Sequence, residues 1–186
     1  MDTSNLTNHL LIAMPSLRDT NFAHTVTYIC EHSPNGAMGI VINRPIDIRV
    51  SKVLEQMEIP SDNPSVKEAP VYLGGPVEER RGFVLHDSDQ EWESTLRIND
   101  QISVTTSRDI LEAMACGKGP AHALVALGYA GWGPRQLEQE ILDNSWLSTP
   151  ADHTILFELP PPHRREAAAR LVGVDLSHLS TDSGHA

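Results

Sequence analysis

The sequence predicts an α+β fold, a single compact domain in which a curved, mainly antiparallel sheet carries packed helices. Three observations lead there. The first strong apolar runs come in hairpin-like pairs divided by short turns. Helical periodicity enters later, without the regular strand–helix alternation of a doubly wound parallel sheet. Across 186 residues there is no internal repeat and no linker long enough to separate a second domain. That length supports one core without disulfide or metal staples, so the domain is expected to span 1–186, with 179–186 a frayed tail.

Taken in order, "HLLIAMP" (9–15) is strand-sized, and "HTVTYICEH" (24–32) and "AMGIVINRP" (37–45) flank the turn "SPNG" as a hairpin. Val26, Tyr28, Cys30 and His32 share one parity of the first strand. Residues 50–58 carry Val53, Leu54 and Met57 at helical spacing behind a possible Ser51 cap, and 59–70, with three prolines, reads as loop. "VYLGGPV" and "RGFVLHD" are two short strands, and 94–107 is a hairpin about Asn99-Asp100. From Ser107 to Cys116 a helix presents Ile110, Leu111, Met114 and Ala115 on its inner stripe and stops at Gly117. "AHALVAL" reads as a core strand ending in a glycine-rich corner, followed by a long helix from Pro134 to Trp146. "HTILFEL" (153–159) reads as a further strand, and 163–172 as a short helix that stops at Gly173, with "LSHLSTDSGHA" frayed beyond it.

Composition narrows the function classes. Fourteen Lys/Arg stand against 25 Asp/Glu, a net charge of −11, whereas direct DNA binding needs a basic surface to neutralise phosphates. The one basic cluster, "HRREAAAR" (163–170), reads as a solvated helix face. No apolar run is long enough to span a bilayer, and the N-terminus lacks the basic start of a signal peptide. The two cysteines form no C-x-x-C pair, so a reducing cytoplasm is the expected location, with no membrane association.

Candidate sites are few. "GYAGWGPRQ" has neither G-x-x-x-x-G-K-[ST] nor G-x-G-x-x-G spacing, which leaves at most an anion on the backbone amides where the next helix starts. Gly128, Tyr129, Gly131 and Trp132 would line that corner. Asn43 and Arg44 end a strand, while Ser107 and Arg108 open a helix; a convergence of both arginines on the corner would bind a small carboxylate or phosphate. The simpler reading gives the arginines loop-holding bonds to carbonyls or carboxylates. Cys30 is a reactive thiol only if exposed beside a cation, with His32 the nearest candidate. His24, Cys30 and His32 share parity but lack a fourth ligand, so no metal site is assigned. Glu138 and Glu140 read as solvent-facing. G-x-S-x-G, H-E-x-x-H and H-x-E…C-x-x-C are absent, and no cofactor is implied.

The blocks "HLLIAMPSLRDTNFAHTVTYICEH", "GAMGIVINRP", "VYLGGPVEERRGFVLH", "TTSRDILEAMA" and "ALGYAGWGPRQLEQEILDNSWL", with "GVDLSHLS" near the end, resemble the bacterial AlgH/YqgE family in its order. The resemblance implies a compact α+β domain and a role in transcriptional regulation connected with alginate synthesis. It brings no catalytic residues. Together with the charge, it leads to the expectation of a non-catalytic protein acting through a protein partner or small anionic ligand rather than by gripping DNA. The alternatives are an enzyme or redox sensor using Cys30, and a small-anion or nucleotide binder.

Overall fold

The computed structural model describes residues 5–179; the tail expected to fray from 179 lies, beyond that residue, outside the described residues. Ten strands form one curled sheet, a half-barrel, with seven helices among the described residues. The strands are β1 (His9–Ala13), β2 (Val26–Ser33), β3 (Gly36–Val41), β4 (Pro45–Arg49) and β5 (Pro70–Leu73), then β6 (Val77–Asp87), β7 (Thr95–Arg97), β8 (Ile102–Thr105), β9 (Ala123–Trp132) and β10 (Trp146–Pro150). The main path runs β10-β1-β2-β3-β9-β6-β8-β7, with β4 and β5 attached beside β9. Pairing is antiparallel except for β5 on β9. The helices are α1 (Val50–Gln56), α2 (Pro64–Lys67), α3 (Arg108–Ala115), α4 (Gln136–Leu142), α5 (His153–Phe157), α6 (Pro161–Leu171) and α7 (Leu176–Leu179).

The hairpin of β2 and β3 forms as the turn residues dictate, with Ser33 opposite Gly36. A bulge between Ile29 and Glu31 breaks its alternation. Beyond the bulge parity no longer holds: Cys30 packs with Val26 and Tyr28, whereas the His32 ring reaches the Leu6 amide and Glu138. Helix α3 buries the expected stripe of Ile110, Leu111, Met114 and Ala115, and Gly117 follows at φ +79°. Burying each of those larger side chains contributes roughly 1.5–3 kcal/mol.

Six expectations are corrected. The glycine-rich corner does not exist, because β9 continues unbroken through Gly128, Tyr129 and Gly131 to Trp132. Gly128 is instead the point where β9 changes neighbour, from β5 at Leu127 to β3 at Ala130. Its φ is +77°, and a Cβ there would lie 2.5 Å from the Gly75 carbonyl oxygen, so only glycine fits. The following helix shrinks to seven residues: Arg135 precedes it at φ +62°, Asn144 turns left-handed at +61°, and Trp146 belongs to β10. Residues 153–157 are helical, because the Asp152 carboxylate caps the Ile155 amide and starts a helix where the apolar run suggested a strand. The 59–70 loop contains α2, and α1 is preceded by Arg49 rather than a Ser51 cap. Near the end, 176–179 closes into a helical turn with Leu176 buried, where fraying was expected.

Three apolar clusters hold the layers together. The first lies on the concave face under α5 and α6, around Leu10, Tyr28, Ile40, Phe83, Leu156 and Ala168. The second seats α1 and α3 on the opposite face against Val84 and Val125. The third joins α4 to Trp132 and Trp146.

The basic cluster of α6 is not a solvated face. Arg164 is buried, donates to the carbonyls of Ile42 and Leu159, and lies 5.2 Å over the Tyr72 ring. Arg165 donates twice to the Ala13 carbonyl, at 3.2 and 2.6 Å. These arginines satisfy carbonyls at and just past the ends of β1 and β3 and lock α6 onto the concave face.

Candidate functional site

The concave face is only half covered. Past the margin of α5 and α6, the sheet bottom continues as an open groove of about 1030 Å³ crossing β2, β3, β9, β6 and the β7–β8 hairpin. Its floor is Met38, Phe83, Val104 and Tyr129, with Phe83 and Tyr129 in edge-to-face contact at 5.7 Å. Val77 and Leu96 add apolar side chains that are 37% and 42% exposed. Along the rim stand Arg81, over the Phe83 ring at 5.3 Å, and Arg97. Their acidic partners among the described residues, Glu78 and Asp100, are more than half exposed and sit 3.3 Å away. Exposed pairs of that kind are worth little, so both guanidiniums are available to a ligand. Strand β7 ends the sheet path here, with one backbone edge unpaired among the described residues.

The sequence-predicted residues divide among separate places. Tyr129, Gly131 and Trp132 line the groove, and Gly128 lies in the same strand. Ser107 and Arg108 border a different cavity of about 610 Å³ between α1, α3 and the sheet. There Arg108 donates to the Met57 carbonyl and pairs with Glu112, while Ser107 accepts from the Ser94 amide and donates to Asp109. Arg44 lines neither; it donates to the carbonyls of Asn21 and Ala23, and burial lowers its pKa. Asn43 accepts from the Val26 amide and donates to the His24 carbonyl. The loop-holding reading therefore describes Asn43, Arg44 and Arg108, and the three-way convergence does not occur. At the start of α4 the Gly133 amide is taken by the Gln136 side chain.

Cys30 lies at the base of the groove with 1% of its surface exposed. Burial, then the nearby Glu31 charge, pushes its thiol far above the usual range, which opposes nucleophilic chemistry. His32 gives no help. Its Nδ1 accepts from the Leu6 amide at 2.9 Å, which leaves the proton on Nε2 to be donated to Glu138 at 2.8 Å. Glu138 is therefore engaged, and so is Glu140: its Oε1 accepts from the indoles of Trp132 and Trp146, its Oε2 from Gln136. Both expectations of a solvent-facing carboxylate fail because α4 lies flat against the sheet.

Two polar assemblies escaped sequence reasoning. In the first, buried His86 donates from Nδ1 to the Asp87 carbonyl, so its Nε2 accepts from Thr105, which in turn is bonded to Thr95. Burial lowers the His86 pKa despite the opposing Asp87 interactions. In the second, the Asp87 carboxylate meets His122 Nδ1 at 3.0 Å and His153 Nε2 at 2.7 Å. Burial alone would raise the Asp87 pKa, but hydrogen bonds from His153, the His122 ring and the His122 amide outweigh it and hold the carboxyl low. The only signal in the sequence was the position of each histidine at the first turn of an apolar run, "AHALV" and "DHTIL".

Comparison with known proteins agrees with this architecture along its length. The AlgH-like family model matches residues 10–177. A UPF0301 protein of Thioalkalivibrio sulfidiphilus is 60% identical over 184 residues, 99% of this chain and 98% of its own. Another from Nitrosococcus oceani is 58% identical over 179 residues, 96% of each chain. The solution structure of the AlgH protein from Pseudomonas aeruginosa superposes with a TM-score of 0.80 at 49% identity, covering 100% of this chain and 98% of that one. A crystal structure from Corynebacterium diphtheriae shares the fold at a TM-score of 0.74 and 22% identity, over 94% of this chain and 91% of that one. No helix among the described residues is long and apolar enough to cross a membrane. With half-barrel, helices and ordered motifs all matched, this chain belongs to the AlgH-like family.

Proposed function

We propose that the chain is a non-catalytic binding protein of the cytoplasm that acts through a protein partner, and that the half-open concave face is where the partner docks. The observation that carries this reading is the groove itself. It pairs an aromatic and aliphatic floor with two loosely held arginines, the residue types enriched at protein interfaces. Its volume of about 1030 Å³ and open form suit an extended segment better than an enclosed small molecule. The occupant is a chain segment with apolar side chains for Phe83, Leu96 and Tyr129 and a carboxylate for Arg81 or Arg97. The free edge of β7 offers it backbone hydrogen bonds.

Any influence on transcription is then indirect. The net charge is −11, and two arginines of the one basic cluster are occupied by carbonyls inside the protein. A photo-crosslinker placed at Leu96 or Val77 in cells is expected to capture one partner, at Leu142 none, and Arg81→Glu with Arg97→Glu should abolish the adduct. Capture that is insensitive to those charge reversals would overturn the reading. So would tight, sequence-selective DNA binding by the purified protein at physiological salt.

A further inference from the structure

The geometry points to a divalent metal site of the zinc class formed by Asp87, His122 and His153, none of which lines the groove, so the assignment does not rest on the partner-binding proposal. Three elements bring these residues together. Asp87 is the last residue of β6, His122 immediately precedes β9, and His153 opens α5. One ligating atom from each, two imidazole nitrogens and a carboxylate oxygen, all lie within 4.8 Å of one another. All three residues are partly buried, neither sealed in the core nor free in solvent.

Two imidazoles and one carboxylate form a donor set that suits Zn²⁺ and Co²⁺, with a fourth position open to water. In the described state the Asp87 carboxylate holds the two rings by hydrogen bonds of 3.0 and 2.7 Å. Those heavy-atom separations approach the spacing between neighbouring ligands on a tetrahedral ion with bonds of about 2.0–2.1 Å. A dication replaces the bridging protons. Each imidazole presents a lone pair as its proton shifts to the other ring nitrogen or is released, and the carboxylate is already ionised. The three ligating atoms, within 4.8 Å of one another, draw together as the ion binds.

The surroundings favour a defined site. The His122 and His153 rings meet nearly at right angles, with centroids 4.8 Å apart, and Phe157 packs against both at 5.9 and 4.9 Å. The His122 amide donates to Asp87 Oδ2 at 2.8 Å, and the Asp152 cap fixes the first turn of α5. Ligand orientation is therefore set by backbone and ring packing. On one side a cavity of about 360 Å³, lined by Asp87, Ser88, Gln101 and His153, leaves room for the ion's remaining ligand. Neighbouring Asp89 and Asp100 add negative charge there, which raises the local concentration of cations.

The test is titration of untagged, chelator-treated full-length protein with Zn²⁺ and Co²⁺. One equivalent is expected to bind, with the visible d–d absorption of low-coordinate Co²⁺. Saturating Zn²⁺ at about a hundredfold over its Kd should raise Tm by about 5–10 °C. His122→Ala and His153→Ala should each weaken binding by at least ~10–100-fold. Asp87→Asn, which keeps a hydrogen-bond acceptor, should do the same, while His163→Ala, outside the cluster, should leave it unchanged. A wild-type protein without the Co²⁺ absorption or the Zn²⁺-dependent Tm rise would overturn the assignment. Equal binding by folded His122→Ala and His153→Ala proteins would do so too.

Discussion

Arginines on the two halves of the concave face meet opposite fates. Under the helices, Arg164 and Arg165 give their donors to carbonyls of the sheet and its margin and act as internal fasteners. In the open half, Arg81 and Arg97 rest on exposed acids 3.3 Å away, Arg97 with one further exposed bond of 3.3 Å to the Asn99 carbonyl, and are held weakly enough to be claimed. The side chain is the same, but the number of fixed acceptors around it differs. A basic residue in this acidic chain is thus informative only once its acceptors are known: buried carbonyls mean architecture, weak exposed pairs mean availability.

The strongest challenge to this division concerns Cys30, at the base of the open half. If the floor is rigid, alkylation of Cys30 requires unfolding and should run at least ~10³-fold slower than that of exposed Cys116. Because burial pushes the Cys30 thiol far up, raising the pH to about 9 should leave Cys30 protonated and slow. Rapid labelling of both thiols, followed by mass spectrometry, would show the floor opening and break the comparison.

Next in size is Arg164→Ala, which strands the carbonyls of Ile42 and Leu159 and should cost about 3 kcal/mol in denaturant unfolding. Arg81→Ala in the open half should cost less than about 0.5 kcal/mol. Equal losses would erase the distinction. Glu140→Gln weakens the acceptor shared by two indoles, and a loss of about 1–2 kcal/mol with altered tryptophan fluorescence is expected. Smaller than the Glu140 effect is Ser107→Ala, where α3 loses only its bonds to Asp109 and the Ser94 amide; about 0.5–1 kcal/mol in the same unfolding measurement would confirm a structural role.

Local signals in the sequence located the elements whose stability is local. The β2–β3 hairpin, the α3 stripe and the hairpin of β7 and β8 follow from turn residues and period alone. Reading failed where a distant partner decides. The glycines of β9 looked like a turn because nothing nearby reveals that Gly128 passes against Gly75. "HTILF" carries apolar residues compatible with either state, and Asp152 was the overlooked helix signal. The groove residues Tyr129, Gly131 and Trp132 stand out in the sequence, but for an anion corner that the unbroken strand removes. Asp87, His122 and His153 lie at three element boundaries with no motif spacing, so only the folded chain brings them together.

The pairing of β10 with β1 has a temporal consequence. His9 lies opposite Pro150, so a nascent chain emerging amino end first must grow by roughly 140 residues before that edge finds its mate. Until then the apolar run Leu10–Ala13 is open on one side to any other extended chain. A ribosome stall before Trp146 would leave an adhesive fragment, and completion of the last strand is the step that renders the molecule safe.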